Sequence, residues 1–162
     1  MNLPERPSQE HGDQHAVGTE APILDDEGAL EVLRTARRIA IVGASPSPWR
    51  PSNSVMRYLL DQGYECVPIT PRVGEVHGQR TYPTLEAAVK ATAAFDIVDV
   101  FRRPEHVPEI ARSAVALACD TLWLQLGVIS PEAARIAHAG GVHVVMDRCT
   151  AIEHRRLRSY PG

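Results

Sequence analysis

Five short apolar runs alternate along the chain with segments whose apolar residues recur at helical spacing. The runs are 38–43 (RIAIVG), 64–70 (YECVPIT), 96–101 (DIVDVF), 121–126 (TLWLQL) and 142–146 (VHVVM). No other feature narrows the possible folds as much. The runs are nearly continuous in apolar character, the pattern of strands buried on both faces. Strand–helix–strand repetition gives a parallel sheet covered on both sides, and the right-handed crossover rule leaves few ways of connecting it.

The intervening segments carry helix signals. Acidic residues open a helix over 25–36. Pro51-Ser52-Asn53 opens a second, to about Gln62, with Val55, Met56, Leu59 and Leu60 on one face and Gly63 as its stop. Thr84 caps a short helix to about Ala91. Pro104 lies at the first turn of a helix that presents Val107, Ile110, Ala111, Ala114 and Ala118 together. Ser130-Pro131-Glu132 begins another, ended by Gly140-Gly141, and a last one runs from about Thr150 to Leu157. The expected fold is α/β: a Rossmann-like, doubly wound, five-stranded parallel sheet in a single domain, with strand order 3-2-1-4-5. Residues 1–20 hold almost no large apolar side chains and are expected to be a flexible tail, leaving 21–162 as the domain. His11 and His15 fall in that tail and are read as solvated, not as metal ligands.

Charge excludes some functions. Glu5, Glu10, Asp13 and Glu20 against Arg6 give the tail the whole formal charge of −3, so residues 21–162 are neutral. A neutral body lacks the broad basic surface of a duplex-DNA binder, while local clusters can still hold a small anion. No apolar run is long enough to span a membrane and no secretory signal is visible. Cys66, Cys119 and Cys149 are odd in number and widely spaced, which favours a reducing cytoplasm over a disulfide framework or zinc ribbon.

In such a sheet a ligand binds beyond the carboxyl ends of the strands. The first strand ends in Gly43-Ala44-Ser45-Pro46-Ser47-Pro48-Trp49-Arg50-Pro51-Ser52. Gly43 and Ala44 permit close backbone approach, Ser45, Ser47 and Ser52 supply hydroxyls, Arg50 adds charge, and the following helix points its amides at the same space. The loop is not a G-x-G-x-x-G fingerprint, and a structural turn with capping serines reads the same way. The second strand ends in Thr70-Pro71-Arg72, where NAD-binding folds place an acid for the ribose hydroxyls. A guanidinium there suits a phosphorylated ribose, as in NADP or coenzyme A. Phe101 and Arg102 end the third strand as a ring wall and a phosphate contact, or as core and surface. Asp99 within that strand needs a hydrogen bond, expected from a neighbouring loop. Gln125 and Gly127 end the fourth, within reach of a ligand amide or phosphate, and Trp123 is read as core.

The segment from Asp147 to His154 (DRCTAIEH) gathers a thiol, an imidazole and two carboxylates. Cys149 and His154 are five residues apart, a poor facing distance on a helix. A helix cap by Asp147 or Thr150 and a surface His154 are preferred to a catalytic pair. His143 is read as a satisfied interior histidine.

The strings IVGASPSPWRPSNSVMRYLL, GYECVPITPRVGEVHGQRTYPTLEAA, DIVDVFRRPEHVPEI, LWLQLGV and VVMDRCTAIEHRRL together resemble the small stand-alone bacterial CoA-binding proteins. These are themselves similar to the CoA-binding domain of the succinyl-CoA synthetase alpha subunit. The resemblance spans nearly all of the body. It implies a bound CoA-type ligand, with Gly43, Ala44 and Ser45 as the phosphate loop and Thr70, Pro71 and Arg72 approaching the nucleotide. It also implies a wall from Phe101 and Arg102, and a turn at Gln125 and Gly127. Arg72 stands where that family often has lysine, which keeps the charge and alters its geometry. The synthetase's phosphohistidine domain and ATP-binding partner have no counterpart in these strings, so ligase chemistry is not carried over.

The expected function is binding of CoA or a short acyl-CoA by a non-catalytic protein. The diphosphate would lie on 43–50 and the start of the helix at Ser52, Arg72 would meet the 3′-phosphate, and the pantetheine would run toward Cys149. Rival readings are an NADP-dependent reductase, a non-catalytic subunit working with an acyl-CoA ligase partner, and a redox role in which Cys149 forms a mixed disulfide with CoA.

Overall fold

The computed structural model describes residues 21–159 apart from residue 73; the tail reading and the His11–His15 pair lie outside them. In chain order the elements are α1 (Asp26–Thr35), β1 (Arg38–Val42), α2 (Pro51–Asp61), β2 (Glu65–Ile69), β3 (Glu75–Val76), β4 (Gln79–Arg80) and α3 (Leu85–Ala91). β5 (Ile97–Val100), α4 (Val107–Ala116), β6 (Thr121–Leu124), α5 (Pro131–Ala139), β7 (His143–Val145) and α6 (Thr150–Ser159) follow. Each expected strand and helix is present, with ends within a few residues of those read from the sequence. The caps at Thr84 and Ser130 form, their hydroxyls accepting the amides of Ala87 and Ala133 at 3.1 Å each. The β3–β4 hairpin, which the sequence reading missed, turns at His77-Gly78. His77 Nε2 lies 2.9 Å from the Asn53 carbonyl and ties the hairpin to α2.

All pairings in the five-stranded sheet are parallel, and the order is β2-β1-β5-β6-β7. Counting only its strands, this is 2-1-3-4-5, which corrects the expected 3-2-1-4-5. Two residues explain it. Pro68 lies inside β2 and has no N–H to donate, so that strand belongs at an edge. Every residue of β5 is buried, including the carboxylate of Asp99, which requires a central place. The outer edge of β2 is covered by Tyr82, whose amide donates to the Pro68 carbonyl and whose carbonyl accepts the Thr70 amide. Chain reversal therefore falls between β1 and β5, and the crevice opens there.

Alternate strand residues feed two cores. Ala40, Val42, Val98, Val100, Leu122 and Leu124 pack on the face covered by α3, α4 and α5. Ile39, Ile41, Ile97, Trp123 and Val145 pack on the face covered by α1, α2 and α6. Trp123 is fully buried, as expected, while His143 opens β7 on the exposed side and is not an interior residue.

Gly140, just past α5, shows how closely α5 and α4 approach: a β-carbon there would lie 2.3 Å from Val115 Cγ1. Its φ of −91° is ordinary, so the demand is steric alone. Gly140→Ala is expected to lower stability by about 1–3 kcal/mol in urea unfolding, and adding Val115→Ala to recover part of that loss. A neutral Gly140→Ala would mean that the two helices separate freely.

Candidate functional site

A cleft of about 960 Å³ lies over the carboxyl ends of β1, β2, β5 and β6. Of the residues singled out from the sequence, Gly43, Ala44, Ser45, Arg50, Ser52, Thr70, Pro71, Arg72, Phe101, Arg102 and Gln125 all line it. Gly127 does not: its amide donates to Asp147 Oδ1 at 2.7 Å, and its φ of +80° serves that turn. Arg103, His106, Leu126 and Val128 also line the cleft and were not in the expected set, and Cys149, toward which the ligand was expected to run, lines it too.

The loop after β1 differs in detail from a backbone phosphate cradle. The amides of Gly43 and Ala44 both donate to the Ile69 carbonyl, at 3.0 and 3.2 Å, so neither is free for an anion. Pro46, Pro48 and Pro51 have no amide hydrogen. The Ser47 amide donates to Ser45 Oγ and the Arg50 amide to the Ser47 carbonyl. Asn53 closes the loop from below, its Nδ2 donating to the Ser45 carbonyl at 2.9 Å. The loop is thus internally bonded and rigid. Gly43 has φ +89°, and a β-carbon there would lie 3.1 Å from Arg102 Cδ and 3.2 Å from the Phe101 backbone. Glycine lets the end of β5 close against β1 and seats Arg102 over the loop. The space it frees is filled by protein and not left for a ligand.

Side chains dominate the polar lining. Arg50, Arg72, Arg102 and Arg103 border the cleft with His106, and among the described residues no carboxylate lines it. Among the described residues none of these four arginines joins an ion pair. Like charges gathered without a counter-ion raise the local potential and favour an anion. Ser52, at the start of α2, is 3% exposed and lines the cleft, and among the described residues its hydroxyl makes no hydrogen bond. Its hydroxyl and the helix N-terminus therefore face the same space. Arg72 is steadied by its backbone, the Thr81 hydroxyl donating to its carbonyl at 3.0 Å.

Beneath the cleft lies a buried polar triangle. Gln125 Nε2 donates to Asp99 Oδ1 at 2.6 Å and to Thr150 Oγ1 at 3.0 Å, and Thr150 Oγ1 donates to Asp99 Oδ2 at 2.9 Å. This supplies the partner that Asp99 was expected to need, from the turn after β6 and the first residue of α6. Burial drives the Asp99 carboxyl up from its ordinary value of 3.8 to about 7, against the hydrogen bonds from Gln125 and Thr150, which pull it down. Gln125 does line the cleft, but both its amide hydrogens are committed to the triangle. Thr150 is therefore a bridging residue and not an exposed cap, and Asp147 holds the Gly127 turn.

His154 corrects another expectation. It is buried, with Nδ1 2.8 Å from the Tyr58 hydroxyl and edge-on rings from Tyr58 and Tyr64. Burial, with Arg158 nearby, holds its imidazole below the ordinary value. It faces α2 and makes no pair with Cys149.

A family model described as CoA binding domain matches residues 37–155. The uncharacterized protein YneT of Bacillus subtilis (strain 168) is 34% identical over 124 residues, covering 76% of this chain and 90% of that protein. A solved structure of a hypothetical protein from Pyrococcus horikoshii OT3 is 36% identical with a TM-score of 0.78, over 83% of this chain and 93% of that one. One from Thermus thermophilus is 34% identical with a TM-score of 0.76, over 83% and 99%. The dinucleotide forming acetyl-coenzyme A synthetase 1 of Ca. Korarchaeum cryptofilum, 23% identical with a TM-score of 0.59, contains the same fold in 27% of its chain; this likeness is one of fold alone.

The triangle has a consequence for stability against pH. The folded state raises the pKa of an acid, so folding takes up a proton between pH 4 and 7. The stability that Asp99 contributes is then fullest below pH 4 and is lost as pH rises through 7. Asp99→Asn removes this slope. Wild type is expected to lose on the order of 4 kcal/mol relative to Asp99→Asn between pH 4 and 8 in parallel urea melts. Parallel curves for the two proteins would refute a buried titrating carboxyl.

Proposed function

The chain belongs to the CoA-binding domain family, and from that premise we propose that it binds coenzyme A or a short acyl-CoA in the basic cleft, without ligase chemistry of its own. The observation that carries this reading is the set of arginines at 50, 72, 102 and 103, in no ion pair among the described residues, around a cleft of about 960 Å³. CoA has a diphosphate and a separate 3′-phosphate, and guanidinium groups bind phosphate through paired hydrogen bonds.

In this reading the diphosphate lies between Arg50, Arg102 and the start of α2, where Ser45 and Ser52 add hydroxyls. Arg72, with Thr70 and Pro71, meets the 3′-phosphate. Gly43 and Ala44 shape the loop and do not donate to the ligand. Phe101 walls the path of the pantetheine toward Gln125 and Cys149, with Gly127 acting only through the turn. A second hollow of about 250 Å³, with Val42, Ile69 and Ile110 as an apolar floor and Glu86 and Glu109 at its rim, adjoins the cleft through Thr70 and Arg102. An uncharged purine with an amino group fits that lining. Residues 21–162 act as the binding domain and the protein is cytoplasmic; its cysteines are all free, and among the described residues no helix is long and apolar enough to cross a membrane.

Isothermal titration with CoA, dephospho-CoA and NADP tests the assignment. Dephospho-CoA is expected to bind about 10–100-fold more weakly than CoA, the worth of a charge-assisted contact. Arg72→Ala is expected to weaken CoA by a similar factor and to leave dephospho-CoA nearly unchanged. Equal binding of CoA and dephospho-CoA by wild type would remove the role given to Arg72. Tighter binding of NADP than of CoA would replace the reading with a nicotinamide one.

A further inference from the structure

The lining of the cleft divides by charge. Its cationic residues all follow β1, β2 or β5, while the part formed after β6 and before α6 carries Gln125, Leu126, Val128 and Cys149, with no charge. Cys149 is held there by the chain on both sides. Asp147 accepts the Gly127 amide, the Arg148 amide donates to the Leu124 carbonyl at 3.2 Å, and Trp123 Nε1 donates to the Arg148 carbonyl at 2.8 Å. Thr150, the next residue, is locked into the triangle with Asp99 and Gln125. The loop is thereby drawn across the carboxyl end of β6, and Cys149 is half-buried, packs partly against the core on the α6 side and lines the cleft.

Gln125 gives an independent sign of what belongs beside that thiol. It is 5% exposed, and its amide nitrogen turns inward onto Asp99 Oδ1 and Thr150 Oγ1. Gln125 lines the cleft, and among the described residues its carbonyl oxygen Oε1 accepts no hydrogen bond and is not sealed from solvent. An unpartnered acceptor on an otherwise buried side chain calls for an N–H donor. The thiol arm of a CoA-type ligand has two amide groups, each with an N–H, and ends in sulfur.

We propose that Cys149 is a site of covalent capture, at which the disulfide form of a CoA-type ligand exchanges with the protein thiol. This rests on the CoA reading of the same cleft. The Cys149 thiolate attacks the sulfur of the bound half. The ligand's S–S bond breaks and a bond from Cys149 Sγ to that sulfur forms. The second half leaves as a thiolate and takes up a proton equivalent to the one Cys149 lost. Cys149 is oxidised to the mixed disulfide, one half of the ligand is reduced to the thiol, and no further oxidant is needed. Cys66 and Cys119 do not compete, since both are buried and burial pushes both thiols up.

Intact-protein mass spectrometry on the full chain treated with CoA disulfide, with peptide mapping, reads the adduct. One CoA-sized adduct on Cys149 is expected, released by dithiothreitol and absent in Cys149→Ser. Binding makes the exchange effectively intramolecular, so it is expected to run at least about tenfold faster than with glutathione disulfide at equal concentration. Arg72→Ala is expected to slow the CoA reaction and leave the glutathione one unchanged. Titration with reduced CoA separates two failures. If CoA binds and no Cys149 adduct forms, or CoA and glutathione disulfides react equally fast, the capture site is refuted and the CoA reading stands. If CoA does not bind, the reading itself fails and the capture site with it.

Discussion

A carboxylate in the middle of an apolar sheet face has to be hydrogen-bonded, and the way Asp99 meets that need organises the functional end of the molecule. Left alone, a buried carboxyl costs several kcal/mol or loses its charge. Here two donors reach it from separate parts of the chain, Gln125 after β6 and Thr150 at the start of α6. The three side chains also bond to one another, so β5, β6 and α6 are fixed relative to each other directly beneath the cleft. Gln125 and Cys149, which line the cleft on that side, take their positions from this contact.

The opposite side of the cleft is built differently. The loop after β1 combines three prolines with a closed set of hydrogen bonds, from Gly43 and Ala44 to the β2 end and from Asn53 to Ser45. Stiffness replaces the donor-rich backbone of a glycine-rich loop. The anion-attracting character then comes from guanidinium groups, the Ser52 hydroxyl and the end of α2. A site that relies on arginine forks can distinguish ligands by where their phosphates sit, because each fork has a fixed position and a preferred direction of contact. The charged and uncharged halves of the cleft match the two chemical ends of a CoA-type molecule.

Much of this was legible in the residues. The apolar runs and the capping residues Thr84 and Ser130 mark the elements closely, since burial on both faces and helix-end amides leave local traces. Arg72 stands out because an acid is the usual occupant of a strand end that meets a ribose. The strand order was legible too and was misread: Pro68 forbids a central β2, a constraint that outweighs the commoner arrangement. His143 and His154 were assigned to the wrong environments because a lone histidine has no periodic signal. Which one is buried depends on whether a partner such as Tyr58 arrives from another helix.

The sequence by itself determined the α/β class, the single sheet, the loops that carry the site and most of the residues lining it, because in a parallel sheet the strand ends must converge on one edge. Only the tertiary structure decided what each residue does there. Gly43 turned out to admit Arg102, the Gly43 and Ala44 amides turned out to be occupied by the Ile69 carbonyl, and Gln125 turned out to bond Asp99. Those outcomes rest on hydrogen bonds and close approaches between segments 25 to 60 residues apart, and no local pattern encodes the partner at the other end.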